Sequence, residues 1–226
     1  ALVADKGYYG YGKYDQLRQN VPYAAISSAL GIVIRQLMAE SKEKLEEWKK
    51  DILCSLGNAG ALITEIVPDL EMIIGRQPAV EIPQSKEAIN RIMMVFENFL
   101  KVFSNRNTPL VMFLDDLQWA DPASLRLLEF LYKDTKLKYL LIIAAYRDNE
   151  IDANHPIQNI IDKKEKTEIP VTQIKLFPFD IKEVTGFLQE TLHSRREKTE
   201  KLAKILYRKT YGNPFFLSQM LVSICN

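Results

Sequence analysis

The feature that most constrains this chain is the run Pro109-Leu-Val-Met-Phe-Leu114, which is wholly apolar, too short for a helix, and stopped by Asp115-Asp116. It reads as a central parallel strand covered on both faces, since a strand with one wet face alternates polar and apolar residues. A second run of the same kind, Tyr139 to Tyr146, reads as a buried strand and ends at Arg147-Asp148. Between them Asp121-Pro122 offers a helix N-cap with proline at the first helical position, and Leu125, Leu127, Leu128 and Leu131 form the buried face of that helix. Strand, helix, strand at this spacing is a βαβ unit, with parallel strands and a right-handed crossover. The predicted class is α/β, a parallel sheet flanked by helices.

The rest of the chain is mostly helical. Ile26, Leu30, Val33, Ile34 and Leu37, then Leu45, Trp48 and Ile52, recur at helical spacing. Asn58 to Gly60 and Pro68-Asp69 interrupt the pattern, and Arg76 to Pro83 reads as an irregular connection. A long helix follows, with Ser85 as N-cap and Ile89, Ile92, Met93, Phe96, Phe99, Leu100 and Phe103 as one stripe. Beyond Ile151 come a Lys-rich stretch (Asp162 to Glu168), a strand-like Val171 to Leu176, and a capping box, Asp180 with Glu183, for a helix to about His193. A helix from about Lys198 ends at Gly212, and Asn213-Pro214 opens the last one. The expected division is a core over residues 1–155 and a strand with a helical lid over residues 156–226.

Composition excludes several classes. With 47% hydrophobic and 26% charged residues in 226, the chain can bury a core. Thirty basic residues against 29 acidic leave no general field for a nucleic acid. The longest apolar run is less than half of the ~20 residues needed to cross a bilayer, so no membrane anchor is expected. Cys54 and Cys225 lack metal-ligand or CxxC spacing, which predicts buried structural thiols in a reducing, cytoplasmic compartment. His155 and His193 are isolated and form no metal set with them. The first residue is not Met and no targeting segment follows, so the sequence is expected to be a piece of something longer.

The chemistry concentrates in Leu110-Val-Met-Phe-Leu-Asp-Asp-Leu-Gln-Trp-Ala-Asp121. Ligands of open α/β sheets bind beyond the carboxyl ends of the strands, where these acids lie. In phosphoryl chemistry one acid holds Mg²⁺ and a neighbouring acid or Gln orients the attacking water. Asp115 fits the first role and Asp116 the second, with Gln118 a further catalytic candidate. The plain alternative is that the pair ends a strand and caps the next turn. Arg147 ends the neighbouring strand, so it either senses a terminal phosphate or forms a structural salt bridge to Asp148 or Asp116. Gly7-Tyr-Tyr-Gly-Tyr-Gly-Lys13 satisfies part of a phosphate-loop pattern, but Tyr14 stands where Ser or Thr should supply a hydroxyl to Mg²⁺. Tyrosines would also crowd a phosphate that must touch bare amides, so the stretch reads as a strand, Tyr8 to Tyr11, turning at Gly12.

On these residues the chain resembles the AAA-like ATPase modules of STAND signalling proteins, and most closely those inside bacterial multi-sensor serine/threonine and histidine kinases. Asp115-Asp-Leu-Gln-Trp-Ala-Asp121 resembles their Walker B segment, residues 110–116 being its strand and acids. Gly12-Lys-Tyr-Asp-Gln16, Val21-Pro-Tyr23, Ala145-Tyr-Arg-Asp-Asn-Glu150 and Gly212-Asn-Pro-Phe-Phe-Leu217 also match, in order. The resemblance implies a P-loop NTPase core with a helical lid, and an ATP- and Mg²⁺-dependent switch joined to other signalling domains of the same polypeptide. It implies Asp115 as the Mg²⁺-side acid, through water, Asp116 as the acid beside the hydrolytic water, and Arg147 as a sensor. Gly212 and Pro214 would be the Gly-x-Pro lid motif, whose Pro packs near the adenine.

The chain departs from that pattern at the phosphate loop. In such modules a Gly-Lys-Ser/Thr loop precedes the segment resembling Gly7 to Gln16, so the loop and most of the first helix are expected to lie outside the chain. These residues alone should then bind ATP weakly or not at all. The competing reading is a non-enzymatic interaction module with vestigial acids. A kinase catalytic domain is not supported, as no His-Arg-Asp or Asp-Phe-Gly signature occurs.

Overall fold

The computed structural model describes residues 7–78, 86–133, 137–152, 155–158, 160, 170–193 and 196–225. The chain divides into two compact units, Ala1–Val171 and Thr172–Asn226. In the first, strands β1 (Tyr8–Lys13), β2 (Leu110–Asp115) and β3 (Leu140–Ala144) form a parallel sheet in the order β1-β2-β3. Helices α1 (Ala24–Met38), α2 (Lys42–Leu56), α3 (Gly60–Ile66), α4 (Glu71–Ile74) and α5 (Lys86–Phe103) fall between β1 and β2. Helix α6 (Pro122–Lys133) connects β2 to β3, as the βαβ reading requires. The predicted class, an α/β fold of the P-loop NTPase kind, holds.

Strand β1 owes its place to two glycines. A Cβ at Gly10 or Gly12 would run into the main-chain carbonyl of Ala29 or Ala25, so only glycine lets α1 lie this close to the strand. The turn expected at Gly12 does not form: the strand continues to Lys13, in register with Asp115, because the glycine serves helix packing instead. Around α1 a single core gathers Ile26, Leu30, Ile34, Leu110, Met112 and Leu114 with Phe96, Phe99 and Phe103 from α5. The rings of Phe99 and Phe103 meet edge to face at 4.9 Å, a favoured aromatic geometry.

Two further expectations about the sheet need correction. β2 alternates buried and half-buried residues, and in β3 Leu141 and Ile143 are 54% and 43% exposed. These side chains share one face with Tyr9 and Tyr11, and that face is open at both outer strands. An apolar run reports a strand's preference for cover on both sides, and the described residues supply full cover on one. Cys54, expected buried, is exposed because it falls off the stripe that buries Ile52 and Leu56.

In the second unit, helices α7 (Ile181–Leu192), α8 (Arg196–Thr210) and α9 (Pro214–Cys225) close on Val184, Leu188, Ala203, Leu206, Leu217 and Leu221. The capping box is present: the Asp180 carboxylate accepts from the amides of Lys182 and Glu183, and Glu183 accepts from the amide of Asp180. Gly212 stands at φ 76°, where a Cβ would overlap the carbonyl of Phe179, so both its conformation and its contact demand glycine. Asn213 caps α9 by accepting from the amides of Phe215 and Phe216. Val171 to Leu176, read as a strand, forms no regular element, and Ile174 and Leu176 are exposed. The predicted cap Ser85 and the stretch Asp162 to Glu168 lie outside the described residues. No described helix is long and apolar enough to cross a membrane.

Candidate functional site

Because the strands are parallel, their carboxyl ends share one edge of the sheet, and the predicted residues of the first unit converge there. Lys13 and Asp115 end β1 and β2 as register partners. Asp116 then turns the chain at φ 52°, a left-handed conformation that Asp tolerates better than most residues, and a short 3-10 turn, Leu117–Trp119, follows. Two main-chain bonds, Ala145 N to Leu114 O and Leu117 N to Ala145 O, both 2.9 Å, fasten that turn to the end of β3. They bring Arg147 alongside.

Asp116 is the hub. It is 5% exposed, and its Oδ2 lies 3.0 Å from Lys13 Nζ. Its Oδ1 accepts from Gln118 Nε2 at 3.1 Å and faces Arg147 Nε at 3.5 Å. Burial acts to raise its pKa, but hydrogen bonds from Lys13 and Gln118 and the charges of Lys13 and Arg147 outweigh burial, so its pKa falls below the ordinary carboxylate value. Asp115 is less enclosed: its side chain is 30% exposed, and its Oδ2 accepts from the Tyr11 hydroxyl at 3.3 Å and lies 3.9 Å from Lys13. Its Oδ1 accepts from the amide of Asp116 at 3.0 Å, which fixes the first acid against the second.

Gln118 is buried with every polar atom of its amide engaged. Nε2 also donates to Glu150 Oε2 at 3.2 Å, and Oε1 accepts from the Arg147 amide at 3.3 Å. Arg147 pairs with Glu150 at 2.9 Å and lies 5.5 Å above the Trp119 ring. Of the two expectations for Arg147, the salt bridge to Asp116 forms, at the carboxyl edge of the sheet. His155 Nε2 meets the carbonyl of Gln118 at 3.1 Å. The last residue of the motif, Asp121, is structural: it accepts from the amides of Ala123 and Ser124 at the start of α6 and from the amide of Tyr23 at 3.2 Å.

The partial phosphate-loop pattern at Gly7 to Lys13 forms strand β1 from Tyr8 onward, not a loop, and Tyr14 is buried. A cavity of about 360 Å³ opens beside it, lined by Lys13, Tyr14, Asp15, Arg18, Trp119 and Asp121. Gly212 and Pro214 belong to the second unit and lie at the turn between α8 and α9. Mg²⁺ commonly takes one or two carboxylates and fills its shell with water and phosphate oxygens. Asp115, partly exposed at the strand end, fits that demand. Three or more acidic, His or Cys side chains do not cluster as metal ligands among the described residues. Sequence reasoning missed Lys13, Tyr11, Glu150 and His155 as members of this cluster. Only the strand register and the placement of residues 145–152 and of His155 bring them in.

A parallel α/β sheet with paired acids at its carboxyl edge is an arrangement of the P-loop NTPase kind, and comparison with known proteins narrows it. The profile described as AAA ATPase domain matches residues 1–143, and the chain belongs to that family. It is similar to "Hybrid signal transduction histidine kinase G" of Dictyostelium discoideum, 28% identical over 91% of this chain and 8% of that protein. It is also similar to "Peroxide stress-activated histidine kinase mak2" of Schizosaccharomyces pombe, 27% identical over 89% of the chain and 9% of the relative. A second fission-yeast protein, "Peroxide stress-activated histidine kinase mak3", is 19% identical over 97% and 11%. The chain thus spans about a tenth of the length of these relatives. These relatives are eukaryotic histidine kinases, so the comparison supports a likeness to histidine kinases and not specifically to bacterial ones. No solved structure matches the chain.

Proposed function

We propose that the chain is an ATP-binding and ATP-hydrolysing switch module of the STAND type within a signalling polypeptide. Asp115 holds the Mg²⁺ side of the site through water, Asp116 orients the hydrolytic water with Gln118 at its side, and Arg147 senses the terminal phosphate. Gly212 and Pro214 form the Gly-x-Pro motif of a lid made by residues beyond the core. The partners in this reading are the nucleotide and the other domains of the same polypeptide. Its setting is cytoplasmic.

The observation that carries the reading is the meeting of Asp115, Asp116, Gln118 and Arg147 at the carboxyl edge of a parallel sheet. A fixed guanidinium there favours the spread charge of phosphoryl oxygens. The family and the histidine-kinase relatives agree with it. The 226 residues contain no Gly-Lys-Ser/Thr string, so the main-chain cradle for the phosphates comes from outside them. When bound, Mg²⁺ would neutralise charge developing on the phosphates.

The test is a titration of fluorescent ATP with Mg²⁺ into this chain and into the full-length natural polypeptide. The reading expects weak or no binding to the chain, binding to the full-length protein, and loss of that binding in Asp115→Ala. A full-length protein that fails to bind would support the interaction-module alternative instead.

A further inference from the structure

Lys13 has no part in the reading just given, yet it makes the closest ionic contact to the candidate catalytic acid. It ends β1 in register with Asp115, and the strand's alternation sends its side chain to the face bearing Tyr9 and Tyr11. From there its ammonium bridges both acids, at 3.0 Å from Asp116 and 3.9 Å from Asp115. The Lys13 side chain is 53% exposed, whereas that of Asp116 is 8% exposed. The lysine therefore gains little from packing, while the buried carboxylate depends on a nearby cation.

We propose that Lys13 is a tethered counter-cation that holds the acid pair in its metal-free state and must swing away when a divalent cation arrives. The inference rests on the ATP-site reading for its biological meaning, but the geometry requires only the two acids and the lysine. Both oxygens of Asp116 already face donors, Oδ2 facing Lys13 and Oδ1 facing Gln118 and Arg147. A divalent cation held at Asp115 would need the space that the Lys13 ammonium now occupies beside both acids, and would replace its charge. Arg147 and Gln118 approach the other oxygen and stay in place. Lys13 can leave because its ammonium sits on a flexible four-carbon stem in solvent. The device makes Asp116 a positioned but occupied acid until metal and phosphates enter together.

Mn²⁺ serves as the probe, followed by electron paramagnetic resonance of the free ion in titrations of the 226-residue chain. Removing one positive charge within about 4 Å of the acids, as in Lys13→Met, should tighten Mn²⁺ binding about tenfold. Lys13→Arg should keep the weak wild-type affinity, and Lys13→Met with Asp115→Asn should lose the gain. A damaged fold does not produce tighter binding, and Lys13→Gln provides a second neutral variant should the first fail to fold. Equal Mn²⁺ affinity in wild type and both neutral variants overturns the counter-cation role. Failure of the ATP reading would show up separately, as absent nucleotide binding in the full-length protein with the Mn²⁺ result intact.

Discussion

The two faces of the sheet are built from the same three strands and differ in almost every physical respect. On one side Gly10, Gly12, Leu110, Met112 and Leu114 are buried, and α1 lies so close to β1 that two positions admit no side chain. On the other, Tyr9, Tyr11, Leu141 and Ile143 are large, apolar and exposed, with Val111 and Phe113 half-buried between them. Tyr11 and Phe113 stack at 5.7 Å, but nothing described packs over them as α1 packs over the first face. Stability is therefore held on one face. The second face ends at Lys13 and Asp115, beside the candidate site.

That contrast breaks most readily at Gly12. Gly12→Val would push a side chain into the backbone of Ala25, which cannot yield without moving the helix, and should cost about 4 kcal/mol in urea unfolding. A loss below about 1 kcal/mol would mean that α1 does not rest on β1 as described. Next in size is a matched pair of truncations. Leu114→Ala, on the closed face, should destabilise by about 3 kcal/mol, as for a fully buried leucine. Leu141→Ala, on the open face, should stay within about 0.5 kcal/mol of wild type. Equal losses would mean that the second face is covered in solution.

The smallest effect is in acid. The folded-state pKa of Asp116 is depressed, so its stabilising contribution is present above the unfolded value and is lost as pH falls through the lower folded one. Comparing wild type with Asp116→Asn by chemical unfolding, the stability advantage of the aspartate should shrink as pH drops below about 4. Asn also tolerates the left-handed backbone at that position, which keeps the comparison electrostatic. An advantage constant from neutral pH to pH 3 would contradict the ion-pair account of Asp116.

Much of this was legible from residues alone. The run ended by Asp115-Asp116, the Asp121-Pro122 cap, the capping box at Asp180 and the Gly212 stop each have a local cause, so pattern and structure agree there. The acids, Gln118 and Arg147 could be named because they follow strands whose shared direction was implied by the βαβ spacing. What pattern could not supply was pairwise geometry. Lys13 meets Asp116 only because β1 pairs with β2 in one particular register, and Glu150 and His155 arrive through the fold of an irregular segment. Burial was misread for β3 and Cys54 for a single reason: apolar character states what a residue prefers, while cover depends on what else is there.

The central claim is that Asp116 activates water at a nucleotide held over this edge. Its most direct test is ATP hydrolysis by the full-length polypeptide carrying Asp116→Asn, with ATP binding measured in parallel. Binding should survive while hydrolysis falls by about a hundredfold or more, as expected when a general base or water-orienting acid is removed. Hydrolysis at the wild-type rate with binding intact would contradict it.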